Sequence, residues 1–256
     1  MSSEPRILIW DIETAPALVY VWSQWQTNVI ATKEDWYLLS AAYRWQGEDE
    51  IHFIKKAKTR LDDRGLAIKI HKLLDEADVA IAHNGDSFDW KKVYARFLKH
   101  RLGPTSPTIL IDTKKETKRH FNLYSNSMNE IARYMGMEMK KNHRGFELWE
   151  MCMAHDPQGW LEMEEYNRQD IVVLEEVYAE LAPYMNHPGT TGNRFNAQQW
   201  LGEYACTKPL CGSFDLSPKG WHRTRASAFR TVRCNDCGGY SRYATQKMGM
   251  ETGMFR

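Results

Sequence analysis

The apolar run Ile7-Leu-Ile-Trp10, which delivers Asp11-Ile-Glu13, constrains this chain more than any other stretch. A compact run of this kind reads as a buried strand. Side chains alternate along a strand, so Asp11 and Glu13 share one face and Ile12 takes the other. Two carboxylates on one face at the end of a buried strand repel each other, and their ionised forms are costly without a cation between them. Hard oxygen donors suit Mg2+ or Mn2+. A strand that simply ends in two solvated acids would look the same, so the pair needs support from elsewhere in the chain.

The next elements set the fold class. Residues 17–40 carry Tyr20, Trp22, Trp25, Trp36 and Tyr37 and read as a loop leading into a strand over 37–45. A turn at Gly47-Glu-Asp-Glu returns the chain through a strand over 51–55, completing an antiparallel meander. Strands and helices then alternate. A helix over 62–77 is capped by Asp62 or Asp63, a strand covers 79–82, a helix over 86–100 is capped by Asp86, and a strand over 108–112 ends at Asp112. Asp112 is read as a cap of the next helix or as support for the core. Helices are expected over 114–121, 128–134 with a stop at Gly136, 146–153 and 158–181. This order gives an α/β fold, a mixed sheet flanked by helices. The His187-Pro-Gly-Thr-Thr-Gly192 run marks a linker. The chain is thus divided into a domain over 1–185 and a small module over 186–256.

Two more acidic motifs lie downstream. Ile81-Ala-His-Asn-Gly-Asp-Ser-Phe-Asp89 crosses from a strand into a helix, with the turn at Asn84-Gly85. Asp89 is directed back toward the strand end, whereas Asp86 suits a cap. Tyr166-Asn-Arg-Gln-Asp170 places a phenol and a carboxylate on one helix face. Ile171, Leu174 and Val177 mark that helix's buried side, with Asp170 at its margin. In order, Asp-x-Glu, Asn-Gly-x-x-Phe-Asp and Tyr-x-x-x-Asp closely resemble the DEDD exonucleases of the DnaQ-like, ribonuclease H-like superfamily. The middle motif is most similar to that of family-B DNA polymerase exonuclease domains and their stand-alone relatives. Asp11-Ile-Glu-Thr-Ala-Pro-x-Leu-Val-Tyr20 also resembles phage-type members. The resemblance covers about residues 6–182.

That resemblance implies a ribonuclease H-like fold in which Asp11, Glu13, Asp89 and Asp170 hold two Mg2+ or Mn2+ ions. Tyr166 would orient the attacking water, which is the DEDDy subclass; Glu165 stands where the other subclass carries His. Thr14, Asn84 and Phe88 would support the site and the substrate. The expected activity is 3′→5′ hydrolysis of nucleic-acid phosphodiester bonds, DNA favoured over RNA, releasing nucleoside 5′-monophosphates. An RNase or structure-selective nuclease of the same fold, or a non-catalytic nucleic-acid-binding adaptor, are the alternatives; the full set of acids with Tyr166 speaks against the last. Lys140, Lys141 and Arg144, in a polar loop before a helix, are candidate phosphate contacts. Aromatics within 20–37 are read mostly as core, with stacking on unpaired bases as the alternative.

The tail has its own chemistry. The net charge of +1 hides an acidic body, with 24 Lys+Arg against 29 Asp+Glu over residues 1–185, and a basic tail, with 10 against 4. A basic tail suggests a polyanion partner. Cys206-x4-Cys211 and Cys234-x2-Cys237, 22 residues apart, read as a structural Zn2+ site of four thiolates. The wording around Cys234 and Cys237 resembles zinc ribbons of transposase-like proteins, although the first spacing departs from the common x2. His222 or Cys152 are substitutes for one ligand. Arg223, Arg225 and Arg230 alternate with Trp221 and Phe229, which suits a nucleic-acid surface. The module is either a substrate clamp or a docking site for a protein, with replication or recombination proteins as candidate partners. No apolar run reaches membrane-spanning length and no secretory leader is visible. The expectation is a cytoplasmic protein, or one of the host cytoplasm if phage-encoded.

Overall fold

The first strand, β1 (Ile7–Ala15), is longer than its apolar start and is buried on both faces through Trp10. In the computed structural model, which describes residues 5–57, 61–137, 144–185, 205–208, 211–223 and 228–244, β1 is the middle of five strands. Two hairpin-like neighbours, β4 (Tyr37–Trp45) and β5 (His52–Lys55), run antiparallel on one side. On the other side β6 (Val79–Ala82) and β7 (Ile109–Asp112) run parallel to β1. The expected mixed sheet is therefore present. Between β1 and β4 the chain forms a small separate hairpin, β2 (Leu18–Tyr20) with β3 (Ala31–Glu34), where a loop was expected.

Alternation along β1 assigns the two layers. Ile7 and Ile9 face Val79, Ile81, Ile131 and the long helix α6 (Pro157–Leu181), whose Ile171, Leu174 and Val177 are buried there. Leu8, Trp10 and Ile12 face α1 (Arg64–Glu76) and α2 (Asp89–Lys99), through Leu66, Ile70, Val93 and Phe97. Each fully buried aliphatic or aromatic side chain contributes roughly 1.5–3 kcal/mol, so the two layers together fix β1. Because Asp11 and Glu13 continue the Ile7–Ile9 face, they point toward α6.

Caps and stops show where local chemistry decided and where packing overrode it. Asp112 caps α3 (Thr113–His120), accepting the Lys115 amide at 3.2 Å, as expected. Gly136, with φ +73°, follows α4 (Met128–Tyr134) and makes the left-handed turn that ends it. Asp86 is not a cap: α2 starts later, at Asp89, and Asp86 instead pairs with Lys115 at 2.9 Å. At α1, Asp63 stands at the N-cap position without a side-chain cap bond, and the Asp62 carboxylate accepts the Arg64 amide at 2.9 Å. Asp63 is buried instead, where it accepts hydrogen bonds from the Leu38 amide, Arg96 and His100. The helix α5 (Phe146–Met153) precedes α6.

The C-terminal part forms a three-stranded antiparallel sheet, β8 (Leu216–Arg223), β9 (Ala228–Cys234) and β10 (Tyr240–Ala244), in the order β10-β9-β8. The expected linker at 187–192 lies outside the described residues. No described helix is long and apolar enough to cross a membrane.

Candidate metal centres and the adjoining cleft

The acidic centre is assembled from two elements. β1 contributes Asp11 and Glu13, and α6 packs across the same face and contributes Asp170, which is buried rather than marginal. Carboxylate oxygens of Asp11, Glu13 and Asp170 all lie within 4.8 Å of one another. The pairing register of β1 with β4 shifts between Glu13 and Thr14, a bulge of the kind that re-aims a side chain at the end of a ladder. Opposite Glu13 stands Ser40, whose hydroxyl donates to the Asn167 side-chain oxygen at 2.6 Å. This bond fastens α6 to the sheet one turn before Asp170. Ser40 and Asn167 were missed in reading the sequence. The available signals were a serine inside an otherwise apolar strand and an asparagine next to Tyr166.

Tyr166 is half-buried on α6 and meets Trp149 edge-on, with ring centroids 6.0 Å apart. Burial first, then the charges of Asp170, Glu13 and Asp11, raises its phenol well above the ordinary value. Tyr166 therefore stays protonated and keeps an O–H to donate. Asp89 does not join the three-carboxylate cluster. It belongs to α2, on the other face of the sheet, is 1% exposed, and accepts the Ile12 amide at 3.3 Å. Burial, reinforced by the charge of Asp112, pushes its carboxyl up to about 7. The four predicted acids thus divide three and one, with Asp89 held against the backbone between Asp11 and Glu13.

The remaining predicted contacts spread out from this centre. Asn84 has φ 66° and its amide donates to Asp112 at 2.9 Å, so it shapes the turn between β6 and α2. Phe88 precedes α2, with the Lys92 ammonium 5.6 Å over its ring and 3.9 Å over that of Trp36. Thr14 lines a cleft of about 470 Å3 together with Pro16, Trp36, Lys92, Phe146 and Trp149. Arg144 makes ion pairs with Glu162 at 3.0 Å and Glu147 at 3.7 Å. Lys140, Lys141 and Arg225 lie outside the described residues. Arg223 ends β8, and Arg230 on β9 lies 5.3 Å over the Trp221 ring.

A second group gathers in the C-terminal part. The sulfurs of Cys206, Cys211, Cys234 and Cys237 lie within 4.8 Å of one another, with Cys206–Cys237 at 3.6 Å and Cys211–Cys234 at 3.7 Å. Four sulfurs about 2.3 Å from a tetrahedral ion would stand about 3.8 Å apart, so the donor set and its spacing fit Zn2+. The longer x4 spacing of the first pair is accommodated. Neither substitute ligand is in the cluster: Cys152, on α5, is buried against α6, where burial raises its thiol to about 12, and His222 tilts against Phe229. Gly239 is required behind the cluster, because a Cβ there would come within 2.8 Å of Lys208 and 3.2 Å of the Cys237 sulfur. The acidic group likewise offers hard oxygens suited to a divalent ion.

The five-stranded mixed sheet with helices on both faces, and carboxylates at the middle strand, defines an α/β fold with an acidic centre at its heart. The chain belongs to the RNase_H superfamily, whose family profile matches residues 26–182. The match begins after Asp11 and Glu13; β1, lying between β4 and β6, joins them to the matched region. Among solved structures, the chain is similar to the family B DNA polymerase from the hyperthermophilic archaeon Pyrobaculum calidifontis, with TM-score 0.51 and 17% identity. That likeness covers 70% of this chain and 25% of the polymerase, and it is a likeness of fold. No match to a curated protein was found.

Proposed function

We propose that this chain is a metal-dependent 3′→5′ exonuclease acting on nucleic acid, DNA in preference to RNA, and releasing nucleoside 5′-monophosphates. The observation that carries the reading is the convergence of Asp11, Glu13 and Asp170 within 4.8 Å on a fold of the RNase_H superfamily. In this reading residues 1–185 form the nuclease domain, and residues 186–256 form a linker and a zinc ribbon that meets nucleic acid or a partner protein. Asp11, Glu13 and Asp170 would hold the Mg2+ or Mn2+ ions, and Asp89, hydrogen-bonded to the Ile12 amide, would brace β1 between two of those ligands. Such ions acidify water and neutralise charge on phosphate oxygens.

The chain's own groups then have distinct tasks. Three clustered carboxylates repel one another without a cation, so the centre is built to take one. Tyr166, a phenol at neutral pH, orients water by hydrogen bonding and does not act as a base. Trp149 buttresses its ring, and the Ser40–Asn167 bond fixes the register of α6. The test is a gel assay of 5′-labelled single- and double-stranded DNA and RNA with Mg2+ or Mn2+. A ladder shortening from the 3′ end, with 5′-monophosphate products, is expected. Intact substrates under all conditions, or internal cuts alone, would remove the reading.

A further inference from the structure

The hairpin between β1 and β4 carries aromatic side chains that the core does not use. Trp22 is 79% exposed and Trp25 is 91% exposed, and Tyr20 and Ile30 are also outside. Aromatic side chains supply large stabilisation when buried, so two bare indoles on one short loop mark a surface kept for a ligand. Tyr37, just beyond β3, is buried, so the aromatic-rich stretch is split between core and surface.

The hairpin's position gives the ligand its chemistry. Its root, Pro16 and Ala17, lines the cleft of about 470 Å3, and the cleft runs through Thr14, next to Glu13. The size is that of a pocket for a drug-sized molecule, enough for a base with its sugar. Phe146 and Trp149 also line it, as do Trp36 and Lys92, whose ammonium lies 3.9 Å over the Trp36 ring. Aromatic faces interleaved with a cation recognise bases that have lost their stacking partners, together with their phosphates. A paired duplex keeps its base faces inside its own stack. A purely apolar partner would have no use for the ammonium, and Trp149, which lines the cleft and also meets Tyr166, sets the cleft beside the acidic centre where the proposed substrate is a polyanion.

We propose that the hairpin Leu18–Glu34 and the cleft at its root form a stacking platform for an unpaired nucleic-acid strand. The proposal rests on the nuclease reading of the neighbouring acids and deepens it: the substrate is a single-stranded or frayed end. Trp22 and Trp25 act as positioning residues along the strand, away from the reacting bond.

The test uses the full chain without added divalent cation, so binding is read separately from cleavage. The probes are a labelled oligothymidylate long enough to span hairpin and acidic centre, and a strand of the same length made of abasic sites. Wild type should bind the oligothymidylate more tightly by roughly 5-fold or more for each base that stacks. Trp22→Ala/Trp25→Ala should lose that preference and bind the abasic strand as wild type does, with an unchanged circular dichroism spectrum. Trp22→Phe/Trp25→Phe, which keeps a π-face, should retain most of it. Equal oligothymidylate affinity in wild type and the double alanine variant overturns the platform while leaving the nuclease reading intact. So does a wild-type protein that does not distinguish the two strands. Failure of the nuclease reading would appear separately, as an intact oligothymidylate when Mg2+ is added to wild type, or as undiminished cleavage in Asp11→Ala.

Discussion

Asp170 shows what a single side chain contributes at the acidic centre. It is buried on α6, yet its carboxylate lies within 4.8 Å of those of Asp11 and Glu13. Replacing Asp11 or Asp170 by Ala relieves the mutual repulsion and removes a cation ligand in the same step. Both variants should therefore fold at least as well as wild type while losing turnover. Loss of a group that organises charge around the reacting phosphate costs on the order of 10²–10³-fold in kcat, or more. Steady-state cleavage with Mg2+, paired with a thermal melt of each variant, checks this; near-normal turnover in either would refute the assignment. Tyr166→Phe keeps the ring and its contact with Trp149 but removes the hydroxyl. It should lower kcat by roughly 10²-fold, the effect expected for a misplaced reactant, with little change in KM. Because the phenol stays protonated, that loss should be similar across neutral pH; a deficit that widened steadily as pH rose would mean that Tyr166 works as a base.

At the scale of elements, α1, α2 and the start of β4 meet on one buried carboxylate. Burial alone would raise the Asp63 carboxyl, but hydrogen bonds from Arg96, the Leu38 amide and His100 outweigh it and hold it below the ordinary carboxylate range. Arg96 is itself buried and donates to Asp63 at 2.7 Å. Asp63→Asn would leave that buried guanidinium with only the more exposed Asp35, 3.4 Å away, at a cost of up to roughly 3–5 kcal/mol. A carboxyl with a depressed folded value stabilises above its ordinary pKa and loses that contribution as pH falls through the folded one. The gap between wild type and Asp63→Asn in urea melts should therefore be widest near neutral pH and narrow below about pH 4. A variant as stable as wild type at neutral pH would show that the clamp contributes nothing. This network also marks what the sequence could not disclose. Strands and helices with strong periodicity, such as Ile7–Trp10 and residues 158–181, are legible because alternation and helical spacing are local. The same local logic makes caps of Asp62, Asp63 and Asp86. Asp63 and Asp86 are instead drawn to partners 33 and 29 residues away in the chain. Asp11, Glu13 and Asp170 are legible as members of ordered motifs. That Asp89 approaches β1 from the opposite layer is not, since a motif records order and not which face of a sheet its helix covers. The exposure of Trp22 and Trp25 is hidden for a similar reason: composition favours burying tryptophan, and only the hairpin's separation from the main sheet puts them outside.

Over the whole molecule, the C-terminal cysteine cluster and the RNase H-like body share a boundary. Lys208, two residues after Cys206, is 2% exposed and donates its ammonium protons to the carbonyl of Met185, just beyond α6. Burial pulls that ammonium below its ordinary value, and the fit around it leaves Gly239 no room for a Cβ. Tyr178, fully buried on α6, is close enough to feel the charge of Cys206, Cys237 and Cys211. The segment that follows α6, the helix of Tyr166 and Asp170, is thus tied to the four-sulfur site through Lys208. If the four cysteines hold zinc as proposed, a module of this size depends on that metal to fold. Losing the metal should consequently release Lys208 and weaken the seat of α6 as well as the ribbon. Cys206→Ser is expected to lower bound zinc from one ion per chain to none, by elemental analysis. The melt of the RNase H-like body should fall with it, by roughly 2–10 °C if the loss is that of one buried charged hydrogen bond. Lys208→Met, which keeps the packing volume but not the ammonium, should keep its zinc and show a shift of similar size. A Cys206→Ser protein whose body melts where wild type does, having lost its zinc, would show that the ribbon is a separate unit. Its role would then have to be sought in what it binds, and not in how it holds α6.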